Sequence, residues 1–516
     1  MLAALRSLSC CLGIALAVQW CGATAERPGI ASTTTLTPET SRQVESIAPL
    51  IRALLDTSAA STSRAASLRL LAGKEVRQLY APDFAPVWTS TQEPLGASAA
   101  AAINVLARAT EYGLRPNDYG VPRLQALWDS LASPGQLPQR AAQQAQLEVY
   151  LSDGVLRFMR DLRRGRLHPY TISPAEKAAG PAGQPVVMLR DGLRRSAVPA
   201  AMVAGQPQNR EYRLLQQALA RWLATPSAQD SLAKYPARYQ QVAVNLERWR
   251  WEAFAPDSDY VLINVPAYEL QVVAAGVVER RHRVIVGKPG TTTPTLTSSI
   301  RYFTLAPGWH VPHSIATQEM LPRIKQDAGY LERNNLAVYN DRGRQLDPAR
   351  IDWTKVTAQH FPYTVRQSAG CDNALGNIVF RFTNPYSVYV HDTPLRQLFD
   401  RPTRALSHGC IRLEHPMQLA AYLLGREGNL ARLPTEDECA RSPVSRDIRL
   451  RRPMALFVRY ATCTAENGRL RFLPDIYGRD EVLRRGLFGP KLPVRAGKAL
   501  ARDATSTLDT AEFVAK

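Results

Sequence analysis

Lysine is scarce in this chain of 516 residues, although the formal net charge is +19; nearly all of its cations are arginines. A strongly basic surface is one route to nucleic-acid binding. The N-terminus argues against that partner, because it reads as an export signal. Arginine- and alanine-rich usage also follows from GC-rich coding, so the charge alone points no further than to anionic envelope surfaces. After Ala25 no apolar run reaches the length needed to cross a bilayer, which excludes a later membrane-spanning anchor. Heptads, tandem repeats and glycine-rich phosphate loops are missing too. Nothing in the sequence thus marks a coiled coil, a solenoid or a glycine-loop phosphate site.

Residues 1–25 carry the features of a secretory signal peptide. Arg6 supplies the positive start, Leu12 to Val18 a short apolar core, and Ala23-Thr24-Ala25 a small-x-small cleavage site. Bulky Trp20 before Cys21 is wrong for a lipoprotein signal. The chain is therefore expected to work outside the cytoplasm, where disulfides persist. Cysteine is sparse. Of seven, Cys10, Cys11 and Cys21 leave with the signal, and Cys371, Cys410, Cys439 and Cys463 remain. Cys439 lies in a loop leading towards the hairpin that holds Cys463. The expected disulfide is Cys439–Cys463, with Cys371 and Cys410 free.

Residues 26–40 are Thr- and Ser-rich and read as a flexible lead-in. From 41 to 252 apolar residues recur at three and four spacing, as in "VESIAPLIRALL" and "LEVYLSDGVLRFMRDLRRGRLHP". This predicts a helical N-terminal domain, with a loop or hinge where Pro and Gly cluster between Pro174 and Gly205. Near Asp257 the period changes. "DYVLINVPAYELQVV" alternates and predicts a strand pair broken near Pro266-Ala267. "RHRVIVGK", "NIVFRF" and "SVYVHD" predict further strands. Between them, 317–367 is charged and helix-prone, and such an excursion between strands is often a lid. "MALFVRYATCTAENGRLRFLPDIYG" predicts a hairpin around Asn467-Gly468, so 430–487 is expected to hold a C-terminal hairpin and helix, and 488–516 a disordered polar tail. The fold class is thus α+β, with helices first and strands from 257 to 487.

The chemistry concentrates in "HDTP" (391–394) and "SHGCIR" (407–412). A reactive cysteine needs an electropositive, partly exposed setting, and a nucleophile needs a base within reach and an orienting group for that base. His391, at a predicted strand end, is the candidate base for Cys410. Asp392 need not orient it, because adjacent strand residues face opposite ways; a backbone carbonyl serves as well. Gly409 lets the N–H groups of His408, Gly409 and Cys410 converge on an oxyanion. Arg412 is placed to favour the thiolate and to hold a carboxylate. The competing reading is zinc on His391, His408, Cys410 and His415, although no familiar zinc spacing is present. His310 and His313 receive no role.

"HDTPLRQLFDRPTRALSHGCIRL" resembles the active-site signature of L,D-transpeptidases with a YkuD-type catalytic domain. "NVPAYELQVV", "TPTLTSSI", "APGWHVPHSI", "NALGNIVFRF" and "LPDIYGRD" are similar to the large periplasmic branch of that family. "YGLRPNDY", "FMRDLRRGRLHP" and "VNLERWRW" look like its N-terminal scaffold. The resemblance covers most of Val87 to Leu487. It implies a catalytic domain over 257–487, built as a β-sandwich with a helical capping insertion at 317–367. It implies Cys410 as nucleophile and His391 as general base, with Ser407, His408, Gly409, Arg412 and Asn373 lining the site. It implies peptidoglycan stem peptides as substrates in the periplasm, other cell-wall enzymes as further partners, and no metal or organic cofactor. The family's reaction releases D-Ala from a tetrapeptide stem and joins two diaminopimelate residues in a 3→3 cross-link.

Two departures stand out. Many members of the branch carry a peptidoglycan-binding module before "NLERWRW", and the stretch between "ALARWL" and "RYQQVAVNLERWRW" is too short for one. Cys371 adds a second thiol to a segment that the family places near the cleft. Two other functions remain open on the sequence: a hydrolase using the same cysteine, either an L,D-carboxypeptidase or an endopeptidase, and a non-catalytic wall-binding scaffold.

Overall fold

The computed structural model describes residues 47–60, 70–90, 95–133, 137–167, 184–225, 236–252, 259–370, 373–429, 433–441 and 444–489. All of them fall in one compact unit, residues 46–516. The expected signal peptide, the lead-in and Cys371 lie outside the described residues, as does the tail beyond Gly489.

Helices carry the first part of the chain. The longest, Leu137–Arg164, ends where Gly165 takes a φ of +84°, a conformation that glycine adopts without strain. Its buried Glu148 holds in place the segment between helices Gly73–Tyr80 and Ala97–Ala107. The carboxylate accepts from the Tyr80 hydroxyl (2.7 Å), from the N–H groups of Val87 (3.0 Å), Trp88 (2.9 Å) and Thr89 (2.7 Å), and from the Thr89 hydroxyl (2.8 Å). Removing it strands several buried donors at once. Glu148→Ala should therefore cost about 3 kcal/mol or more, read as a lower urea midpoint.

The loop expected between Pro174 and Gly205 is partly helical. Helices Pro185–Arg194 and Val198–Val203 each start with a proline in the first turn, where its missing N–H costs nothing. Val186, Leu189, Val198 and Met202 are buried, so tertiary packing overrides the local breaker signal.

Strands follow. They are β1 (Tyr260–Asn264), β2 (Glu269–Ala274), β3 (Val277–Gly287), β4 (Leu296–Leu305), β5 (Trp309–His310), β6 (Leu336–Tyr339), β7 (Gln345–Leu346), β8 (Thr364–Gln367), β9 (Ile378–Arg381), β10 (Val390–His391), β11 (Ala405–Ser407), β12 (Ile411–Leu413), β13 (Arg446–Arg459), β14 (Cys463–Glu466) and β15 (Arg469–Phe472). The main sheet runs β11-β3-β12-β10-β9-β4-β13-β1-β2, and β2 pairs again with β3, so the circuit closes. Long β3 makes this possible, because its first part pairs with β2 and its last residues with β12 and β11.

Strand β1 is buried on both faces. Val261 and Ile263 point into the core of the circuit. Tyr260 and Leu262 pack against helices Arg210–Leu223 and Pro236–Arg250 through Tyr212, Leu246 and Trp249. The helical and strand-rich regions thus share an apolar seam.

Three further expectations are corrected. The 317–367 excursion is not simply helical: its strands join β5 in a four-stranded sheet, β5-β8-β6-β7, over its own core of Val311, Leu321, Ile324, Val338 and Val365. The leading helix passes through a π turn at Ala316–Met320 just before Pro322, whose missing N–H and ring disturb regular α pairing. "MALFVRY" belongs to β13, not to the hairpin. The hairpin is β14–β15 alone, and Asn467 and Gly468 both take the positive φ that its two-residue turn requires. Finally, Cys463 is a free thiol, not half of a Cys439–Cys463 disulfide. It is fully buried in the seam and packs there as a small apolar side chain.

Candidate active site

Cys410 sits in the turn between β11 and β12, with Gly409 at a φ of +114°. Ser407 pins this turn: its hydroxyl donates to the Cys410 carbonyl (2.5 Å) and accepts the Gly409 N–H (3.2 Å). The Gly409 N–H is therefore occupied within the turn. Fully buried Thr293 holds the turn from behind, accepting from Gly287 N–H (2.8 Å) and donating to the Gly409 carbonyl (2.8 Å). The Tyr477 hydroxyl in turn donates to the Gly287 carbonyl (2.6 Å).

Strand pairing brings His391 to the same place. β10 runs parallel to β12, with Val390 opposite Ile411 and His391 opposite Arg412. Val390 and Ile411 point into the core. Side chains alternate along a strand, so His391 and Arg412 share the other face with Tyr389 and Cys410, one step back. The Tyr389 side chain and backbone both reach the Cys410 thiol, and the Tyr389 and His391 rings meet edge to face at 5.5 Å.

The His391 Nδ1 lies 2.6 Å from the Asp392 carbonyl oxygen. A carbonyl only accepts, so Nδ1 carries the proton and Nε2 keeps its lone pair. Burial, then the Arg412 guanidinium, lower the imidazole pKa to about 3, so the ring is neutral near pH 7. Burial also raises the Cys410 thiol pKa, while Tyr389, Arg412 and Arg381 oppose that shift. The resting pair is therefore neutral thiol and neutral imidazole, so a thiol acting here as a nucleophile would have to lose its proton as it attacks.

Asp392 is buried and turns its carboxylate to the Asn377 N–H (2.9 Å). A Cβ on Gly376, whose φ is +61°, would lie 2.5 Å from that carboxylate. Gly376→Ala should thus destabilise the protein by about 2 kcal/mol and displace the His391 strand end, measured as a lower melting temperature with reduced turnover.

The other expected lining residues are more dispersed. The His408 imidazole bonds Glu319 on the leading helix of the insertion, tying the cysteine turn to that element. Asn373 is buried, and both ends of its amide serve its own turn, through Ser368 O (2.7 Å) and Leu375 N–H (2.8 Å). For the zinc alternative, His408 faces Glu319 and His415 lies beside Glu414, and among the described residues no His, Cys, Asp or Glu group converges as a metal site would. Tyr389, Arg381, Thr293 and Tyr477 were missed from the sequence. Only Tyr389 carried a local signal, standing two residues before His391 on one strand.

Residues 258–441 match the family model of the L,D-transpeptidase catalytic domain, YkuD, and residues 74–219 match a scaffold-domain model. A curated relative from Haemophilus influenzae, described as a "Putative L,D-transpeptidase", is 38% identical over 242 residues, 47% of this chain. The match spans 48% of that relative, about half its length. Among solved structures, an L,D-transpeptidase from Mycobacterium smegmatis is 19% identical, covering 39% of this chain and 58% of that one, with a TM-score of 0.19.

Proposed function

We propose that this chain, whose residues 258–441 match the YkuD L,D-transpeptidase catalytic domain and whose residues 74–219 match a scaffold domain, forms 3→3 peptidoglycan cross-links in the periplasm through an acyl-enzyme on Cys410. The observation that carries this reading is the shared outer face of two adjacent parallel strands, where His391, its Nδ1 committed to a carbonyl, stands beside the Cys410 turn. Cys410 Sγ attacks the carbonyl between diaminopimelate and D-Ala while its proton passes to His391 Nε2. The carbon–nitrogen bond breaks, His391 returns the proton to the leaving amine, and D-Ala departs from a thioester. A diaminopimelate amine of a second stem attacks that thioester, gives its proton to His391, and expels the sulfur, which takes that proton from His391 to restore the neutral thiol.

The Cys410 N–H and the backbone at His408 serve as oxyanion donors, and Arg412 supplies positive charge beside the reacting carbonyl. In this reading the closed strand circuit is the family's β-sandwich core, and 317–367 is its cap over the outer face. No metal or organic cofactor enters the scheme. Stem peptides are the substrates, and other cell-wall enzymes are the natural partners.

The test is incubation with disaccharide-tetrapeptide, read by mass spectrometry. A cross-linked dimer with released D-Ala supports the proposal. A tripeptide product alone makes the protein a carboxypeptidase, and cleavage of a supplied 3→3 dimer makes it an endopeptidase. Unchanged substrate favours a wall-binding scaffold without catalysis.

A further inference from the structure

The strand registers draw one line of side chains across the sheet to the nucleophile. On β13 and β4, Arg449 lies opposite Tyr302, and on β4 and β9, Tyr302 lies opposite Arg381. One step beyond the hydrogen-bonded pairs of β9, β10 and β12, Arg381 falls opposite Tyr389 and Tyr389 opposite Cys410. The neighbouring line, Phe303–Phe380–Val390–Ile411, is buried core. Alternation therefore puts Arg449, Tyr302, Arg381, Tyr389 and Cys410 on the outer face.

The side chains agree with this placement. The Arg449 guanidinium lies 5.7 Å from the Tyr302 ring centre and the Arg381 guanidinium 5.5 Å from that of Tyr389. Among the described residues neither arginine forms a salt bridge, whereas Arg281, Arg283 and Arg459 of the same sheet do. Two cations thus stand on a face leading to the thiol, stacked on aromatic rings and without carboxylate partners.

We propose that Arg381 binds a carboxylate of the acyl-donor peptide, with Arg449 as an outer anionic contact on the same line. This rests on the acyl-transfer reading above. Arg381 is two strands from the Cys410 line, about 10 Å at ordinary strand spacing. A stem peptide offers two carboxylates at comparable reach from its scissile carbonyl, one on the glutamyl residue and one on the diaminopimelate side chain. Guanidinium recognises either by paired N–H donors. The tyrosines hold the guanidinium planes, so less freedom is lost on binding.

The test measures D-Ala release from three stem tetrapeptides: both carboxylates free, the glutamyl carboxylate amidated, and the diaminopimelate carboxylate amidated. In wild type, one amidation should raise KM by about tenfold or more, which names the carboxylate. Arg381→Ala should raise KM for the free-acid peptide by a similar factor and leave KM for that amidated peptide within twofold of wild type. Arg381→Lys should recover part of the loss, and Arg449→Ala should show a smaller KM effect that fades with salt. Equal losses on free and amidated peptides would mean that Arg381 acts through the electrostatics of Cys410, and would overturn the proposal. So would a wild-type KM indifferent to both amidations. If wild type releases no D-Ala from any peptide, the acyl-transfer reading falls and this one with it.

Discussion

Cys410→Ala should abolish D-Ala release and cross-linking, a loss of at least about 10³-fold, since removing a nucleophile leaves only binding and oxyanion stabilisation. A carbapenem, as a strained acyl donor, should add its mass to the wild-type protein once, and the adduct should vanish in the variant. The thiol's surroundings set a second expectation. Burial holds Cys410 above the ordinary thiol range, against the pull of Tyr389, Arg412 and Arg381. Simple alkylation by iodoacetamide should accordingly be slow at pH 7 and rise steeply above pH 8, because it depends on free thiolate. Acylation by a bound stem should be less steep, because His391 removes the proton during attack. Tyr389→Phe, which takes one stabilising contact from the sulfur, should slow both. A carbapenem adduct that persists in Cys410→Ala and maps to Cys371 would sink the assignment.

The parts of this site that were legible in the sequence are those that lie close together along it. "HDTP" and "SHGCIR" show a base and a thiol, and the glycine between His408 and Cys410 shows a turn. Gly409 does take positive φ. The neighbours that tune the thiol come from pairing between segments far apart in the chain. Arg381 stands opposite Tyr389 only because β9 and β10 pair in one register, and nothing in "NIVFRF" fixes that register. Thr293 reaches Gly409 across 116 residues and Tyr477 reaches Gly287 across 190. No local pattern encodes such contacts. The strands of the insertion were missed for another reason. β6 and β8 have four residues each, too few for a period-2 pattern to stand out among charged neighbours. β1, by contrast, was legible as a strand, although the covering of both its faces, one by the strand core and one by the helices, was not. Cys463 misled because its hairpin was legible while its burial beneath helix Pro236–Arg250 was not.

His391→Ala should lower kcat/KM by about 10² to 10⁴, the usual range for a positioned general base, while His408→Ala should cost far less. The His408 imidazole is engaged with Glu319, so its side chain supports the cap contact and its backbone remains in the variant. The pH dependence separates His391 from an ordinary histidine. With its pKa lowered to about 3 by burial and by Arg412, the folded imidazole stays neutral through mild acid. The acid limb of kcat/KM should therefore lie well below pH 6, whereas a base with the usual value near 6.5 would lose half its activity there. The same shift makes a stability statement. Below about pH 6.5 the unfolded chain takes up a proton on this ring that the folded chain refuses. The contribution of His391 is thus fully present above pH 6.5 and is lost progressively as pH falls towards 3. The urea midpoint of wild type should drop between pH 7.5 and pH 4, and His391→Gln, which cannot titrate, should drop less over the same span. An acid limb at pH 6.5 together with equal pH slopes of stability in the two proteins would show that the imidazole titrates at its ordinary value and is not held neutral.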